Sequence, residues 1–229
     1  ADLVCCRHVL EHIDRPTEFL QALAAKLKPG TAIFFEVPNV LSTLRDEGIW
    51  DIIYEHCGYF SPSSLRRAFE LAGFEVREVA ETFSGQFLVI DARVSERASA
   101  PAPVAPAPVD PNLEEMASSF ATTYREKVAR WHDTLSEPHG ETDGSVVAWG
   151  AGSKGNSFLN LVGKDVRAIV DINPKKRGKF VAGTGQPIVA PEDLIGIEPT
   201  TVVIMNPVYR SEIAAQLEEL GLKPRLLTA

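Results

Sequence analysis

Apolar residues come in unbroken runs early in the chain, at Leu3-Val4-Cys5-Cys6 and again at Ala32-Ile33-Phe34-Phe35. Runs without alternation mark strands buried on both faces. Between them the spacing changes to helical steps. Phe19, Leu20, Leu23 and Leu27 share one face, which predicts a helix over Pro16 to Leu27 with Asp14 as its cap and Lys28-Pro29-Gly30 as its stop. Strand, helix, strand with short turns is a βαβ unit. Ser61-Pro62-Ser63-Ser64 opens a further helix, expected from Ser63 to Ala72 and ended by Gly73. Phe74 to Val79 and Gln86 to Ile90 then form a hairpin pair around Phe83-Ser84-Gly85.

The pattern restarts after a break. Ser95 to Asn112 is dominated by Pro and Ala, an extended, poorly packing composition that marks a boundary. Leu113 to Ser136 carries Met116, Phe120, Tyr124, Val128, Trp131 and Leu135 at three- or four-residue steps, the packing face of one amphipathic helix. Strands follow at Ser145 to Trp149, Val166 to Val170, Thr201 to Met205 and Arg225 to Leu227, with helices between. The expected architecture is α/β: two Rossmann-like doubly wound units, the first truncated at its N-terminus. The domains are then 1–94 and 113–229, joined by a linker over 95–112, and the segment from about Leu113 onward should fold alone.

Composition narrows the function. The 229 residues are 45% hydrophobic and 24% charged, as in ordinary globular domains. A formal net charge of −8, with no basic block to offset it, argues against nucleic-acid and membrane-surface partners. Three cysteines, two of them adjacent, make neither a disulfide framework nor a four-ligand zinc site. No metal site is therefore expected in these residues, and the compartment reads as reducing cytosol.

Candidate chemistry collects at three places. Glu55-His56 sits in a polar loop between Gly48 and Ser61, where a neighbouring carboxylate can orient an imidazole for general-base work. His8 to His12 follow the first strand, and Val37 to Asn39 follow the second. In an open α/β sheet these positions lie at the ligand edge, beyond the carboxyl ends of the strands. In the second half, Gly150-Ala151-Gly152-Ser153-Lys154-Gly155 follows a strand directly and opens a helix, and Asp171 ends the next strand. This pattern fits a dinucleotide site, and it equally fits any phosphate, to which Lys154 would add a point charge. The short helix broken by Gly163 and the turn Asn173-Pro174 beside Asp171 speak against a dinucleotide.

Asp2-Leu3-Val4 followed by His8-Val9-Leu10-Glu11-His12-Ile13 and Leu27-Lys28-Pro29-Gly30-Thr31 resembles the second half of a class I S-adenosylmethionine-dependent methyltransferase. Glu55-His56-x-x-Tyr59-Phe60-Ser61, Trp149-Gly150-Ala151-Gly152-Ser153-Lys154-Gly155-Asn156 and Val170-Asp171-x-Asn173-Pro174-x-Lys176-x-Gly178 narrow the resemblance. They are similar to the C-methyltransferases of nucleotide-linked keto sugars. The resemblance implies that His56 is the base that removes a proton beside a carbonyl, supported by Glu55, with His12 in the same pocket. Family members carry a Tyr two residues before that Glu; this chain has Ile53 there and Tyr54 beside Glu55, so Tyr54 is the catalytic phenol expected. Arg7 and His8 stand where S-adenosylmethionine contacts are expected. Asn39, Gly150, Gly152, Lys154 and Gly155 are the expected contacts to the sugar nucleotide. The family's cofactor loop and a zinc-binding N-terminal module would lie upstream of Ala1. Two other readings stay open: an NAD(P)-dependent oxidoreductase using the Gly-rich turn, and a non-catalytic nucleotide-binding module.

Overall fold

The computed structural model describes residues 1–96, 110, 112–136 and 145–229; the prolines of the linker and His139 lie outside them. The chain divides into two compact units, Ala1–Gly48 with Tyr54–Ala121, and Ile49–Ile53 with Thr122–Ala229. The short segment Ile49–Ile53 thus belongs to the second unit although it comes from the first half of the sequence.

In the first unit the strands β1 (Leu3–Arg7), β2 (Ala32–Pro38), β3 (Phe74–Thr82) and β4 (Phe87–Val94) form one sheet in the order β1-β2-β4-β3. β1 and β2 are parallel, with Leu3 opposite Ala32, while the β3–β4 hairpin adds two antiparallel pairs. Ile33, Phe35 and Val37 of β2 and Leu88, Ile90 and Ala92 of β4 are fully buried, and Leu20, Leu65 and Phe69 from helices pack on them. Burial alternates along β4, and Leu3, Cys5 and Arg7 of β1 are exposed, so this sheet is covered on one face and not on both as the unbroken apolar runs predict.

Helix α1 (Pro16–Ala24) begins where expected but is capped by Arg15, with no side-chain bond from Asp14. Pro16 occupies the first turn, where its missing N–H costs nothing. Asn39 caps a short helix, α2 (Val40–Arg45), that the apolar pattern does not announce. Helix α3 (Pro62–Leu71) opens on a reciprocal cap: Ser64 N donates to Ser61 Oγ at 3.3 Å and Ser61 N donates to Ser64 Oγ at 2.9 Å.

The second unit contains α4 (Leu113–Ser136, from Thr122), β5 (Val146–Trp149), α5 (Ser153–Val162), β6 (Val166–Val170), β7 (Ile188–Val189), α6 (Leu194–Ile197), β8 (Thr201–Ile204), α7 (Arg210–Glu219) and β9 (Arg225–Thr228). All strand pairs in its sheet are parallel, in the order β7-β6-β5-β8-β9. Counted within the unit this is 3-2-1-4-5, the doubly wound Rossmann arrangement, whose order reverses between β5 and β8. The α/β class expected from the sequence holds for both sheets. Trp50, 2% exposed, meets Phe158 of α5 edge-on at 5.0 Å, and Trp131 of α4 meets the same ring at 5.1 Å. Among the described residues, no helix is long and apolar enough to cross a membrane.

Candidate active site

Adjacent parallel strands bring their carboxyl ends side by side, so the segments leaving β1 and β2 share one edge of the first sheet. Arg7 closes β1, and His8 leaves it in a left-handed conformation with φ 53°. That backbone is uncommon for a non-glycine residue and is the kind of position that ligand clamps hold. Glu36 of β2, 7% exposed, gathers both side chains: Arg7 Nε and Nη2 donate to its Oε1 at 3.0 and 2.8 Å, and His8 Nε2 lies 2.9 Å from the same oxygen. His8 Nδ1 faces Glu11 Oε1 at 3.5 Å, so the ring stands between two carboxylates.

Glu11 lies in the 3₁₀ turn after β1 and is 1% exposed. Its backbone carbonyl accepts from both Cys57 N and Gly58 N, at 2.8 and 2.9 Å. Those bonds staple the loop that follows β2 onto the segment that follows β1. His12 and His56 are thereby set edge to face with ring centroids 4.9 Å apart, and Tyr59 stands 6.4 Å from His56. His12 Nδ1 bonds the backbone carbonyl of Glu55 at 3.0 Å. Ligand atoms of Glu11, His12 and His56 all lie within 4.8 Å of one another. The Cys6 thiol nearby is pushed above its usual pKa, first by burial and then by the negative charge of Glu11.

A second concavity belongs to the second unit. A cleft of about 410 Å³ opens between the turn after β5 and the turn after β8, lined by Gly150, Gly152, Lys154, Asp171, Met205 and Tyr209 among others. This is the switch point of the sheet, where open α/β folds place ligands. Gly150 takes φ 116°, and a Cβ on Gly155 would stand 2.1 Å from the Gly150 carbonyl oxygen, so the turn closes only around a bare backbone. Gly152 caps α5 without a side chain, so no side-chain cap competes for the first N–H groups of that helix, whose residues Ser153 and Lys154 line the cleft. Lys154 Nζ pairs with Asp51 at 2.8 Å. Lys176 Nζ donates to Asp171 Oδ2 and to the Ala151 carbonyl, both at 2.9 Å.

Two family models match the chain: a methyltransferase domain over residues 1–79 and a C-methyltransferase C-terminal domain over residues 112–223. The C-methyltransferase NovU of Streptomyces niveus is 31% identical, over 93% of this chain and 53% of its own length. Both halves of the chain are thus similar to methyltransferase sequences. The chain spans about half the length of that curated relative. A ubiquinone biosynthesis O-methyltransferase of Aeromonas salmonicida is 27% identical over 34% of this chain and 37% of itself. A solved structure from Bacillus halodurans C-125 covers 41% of this chain and 70% of its own, with 15% identity and a TM-score of 0.32.

The residues singled out from the sequence divide sharply. His8, His12 and His56 converge on one edge. Glu55 is exposed and enters the site through its carbonyl; the carboxylate placed among the imidazoles is that of Glu11. Tyr54 is 100% exposed, and the phenol beside His56 is Tyr59. Asn39 must be corrected as a ligand contact. It is 0% exposed, its Oδ1 accepts from Leu41 N at 3.1 Å, and its Nδ2 donates to Glu81 Oε1 and the Gly85 carbonyl at 3.1 and 2.9 Å. Both amide hydrogens are spent and the side chain is closed off from solvent, so Asn39 offers a substrate no donor. Gly150, Gly152, Lys154 and Gly155 do line or shape the switch-point cleft, with Lys154 already paired. Sequence reasoning missed Glu11, Glu36 and Asp51. A single charged residue inside the apolar run of β2 was the available signal for Glu36, since such a residue is tolerated there only with partners.

Proposed function

We propose that this chain is part of an S-adenosylmethionine-dependent C-methyltransferase acting on a nucleotide-linked keto sugar, with His56 as the proton-abstracting base. The observation that carries the reading is the His12–His56 pair, 4.9 Å apart at the ligand edge of a methyltransferase-type sheet. Methylation at carbon needs a carbon nucleophile, and a C–H bond beside a carbonyl yields one when a base takes its proton. Imidazole is suited to that task near neutral pH. His56 accepts the proton on a ring nitrogen, and the C–H electron pair passes into the enolate. Positioning base and acceptor carbon together supplies much of the acceleration.

Arg7 and His8 are the residues of this chain that would hold the cofactor. Arg7 is 64% exposed in its side chain and spends Nε and Nη2 on Glu36, so guanidinium N–H groups remain for a carboxylate or hydroxyl. That donor set fits S-adenosylmethionine, which when bound supplies the electrophilic methyl group.

For the sugar nucleotide, the support is the switch-point cleft with helix N–H groups at its Gly-rich turn. The dinucleotide alternative is disfavoured by Asp171, whose carboxylate accepts from Lys176 Nζ at 2.9 Å and from Asn173 N at 2.8 Å where a ribose acid would need to be open. A cytoplasmic location accompanies the reading, supported by Cys5, Cys6 and Cys57 all being free thiols.

In the complete enzyme, His56→Asn should leave S-adenosylmethionine binding near normal and cut turnover by roughly 10²–10⁴-fold. Turnover near wild type in that variant would sink the assignment.

A further inference from the structure

We propose that Glu11, His12 and His56 form a binding site for a divalent transition-metal ion of the zinc class. The argument starts from a carboxylate in an expensive position. Glu11 is 1% exposed, and while Oε1 faces His8, Oε2 is buried with no hydrogen-bond partner. A buried carboxylate oxygen without a partner is costly, and a cation beside it removes that cost.

The carboxylate of Glu11 has the neighbours that such an ion requires. One ligand atom each from Glu11, His12 and His56 lie within 4.8 Å of one another, and a small inward movement of these side chains brings them onto bonds of about 2.0–2.2 Å to a common centre. Two imidazoles and one carboxylate favour zinc-type ions over magnesium or calcium, which prefer oxygen alone.

His12 is prepared for this role. Its Nδ1 bonds the Glu55 carbonyl at 3.0 Å, which requires the proton on Nδ1 and leaves the lone pair on Nε2. A backbone carbonyl behind the ring is the usual way a ligating histidine is oriented and its tautomer fixed. The loop carrying His56 is held on the Glu11 segment by the two bonds from Cys57 N and Gly58 N, so the three ligands sit on a braced frame. Three protein ligands leave the remaining coordination positions open to an exchangeable oxygen.

An ion bound here occupies a ring nitrogen of His56, so metal loading and proton abstraction by His56 exclude each other. Binding itself is measured without turnover, which separates this inference from the proposed reaction.

The test is calorimetric titration of zinc into the chelator-treated 229-residue chain, compared with His12→Ala, His56→Ala, His132→Ala and a variant with Cys5, Cys6 and Cys57 changed to Ser. His12→Ala and His56→Ala should each weaken binding by at least about tenfold, while His132→Ala and the serine variant bind as the parent does. His56→Ala lies in a half-buried loop, so its fold is expected to survive, as circular dichroism checks. Parent-like affinity in His56→Ala, or loss of binding in the serine variant, would overturn the site.

Discussion

The Nδ1 of His12 meets the backbone carbonyl of Glu55 at 3.0 Å, and that bond ties the two loops of the ligand edge through main chain rather than through a carboxylate. Adjacent charge in the sequence suggests the opposite, that the Glu55 side chain orients His56. Because the contact uses the carbonyl, Glu55→Gln should keep most of the turnover of the complete enzyme. His56→Asn should lose roughly 10²–10⁴-fold in the same assay. Equal losses in the two variants would return the supporting role to the Glu55 side chain.

Asp171 bears on which nucleotide the second unit accepts. With its carboxylate engaged by Lys176 and by the Asn173 amide, the whole chain should take up neither NAD nor NADP in calorimetry, whereas a thymidine-diphosphate sugar is the expected ligand. Binding of either dinucleotide with none for the sugar nucleotide would reverse the two readings.

Trp50 lies in the sequence among first-half residues but packs, 2% exposed, on Phe158 of α5. Trp50→Ala should cost about 3–5 kcal/mol in the second unit, because the cavity is large and its walls are a strand-backed helix. Trp131 and Trp149 also belong to that unit, so their fluorescence during denaturation reports on it selectively. A fragment beginning at Leu113 lacks Trp50 and should unfold at lower denaturant than the same unit in the whole chain.

Gly155 sits under the Gly150 carbonyl, where a Cβ would approach to 2.1 Å from the oxygen and 2.8 Å from Ile169 Cδ1. Gly155→Ala should destabilise the second unit by about 1–3 kcal/mol and open the Gly-rich turn. Gly152→Ala, with nothing within 4 Å of its Cβ, should be far milder in the same denaturation experiment.

Cys6 supplies a pH-dependent reporter of the Glu11 site. Folding favours its neutral thiol, through burial first and the Glu11 charge second, so its pKa is raised. The associated stability is complete below the usual thiol pKa and is lost as pH rises through the raised value. Alkylation of Cys6, followed by mass spectrometry, should set in at higher pH than for a free thiol. Glu11→Gln should move the onset part of the way back, since burial remains. An unchanged onset would remove Glu11 from the account.

What the sequence determined by itself is local. Continuous apolar runs fixed β1, β2, β5, β6 and β8, helical periodicity fixed α4, and Ser61 with Ser64 wrote the start of α3, because each depends on residues a few positions apart. The Gly-rich turn was legible for the same reason, since its glycines answer to the backbone of one tight bend. The tertiary structure decided the pairings across the chain. Glu11 joins His56 only because parallel strands align the exits of β1 and β2, and Asp51 meets Lys154 only because Ile49–Ile53 packs in the second unit. It also decided which polar residues are already spent: Asn39 holds its own helix and hairpin, and Asp171 is held by Lys176. A residue's type records which hydrogen bonds it is able to make, but only the folded chain settles which of them are left for a ligand.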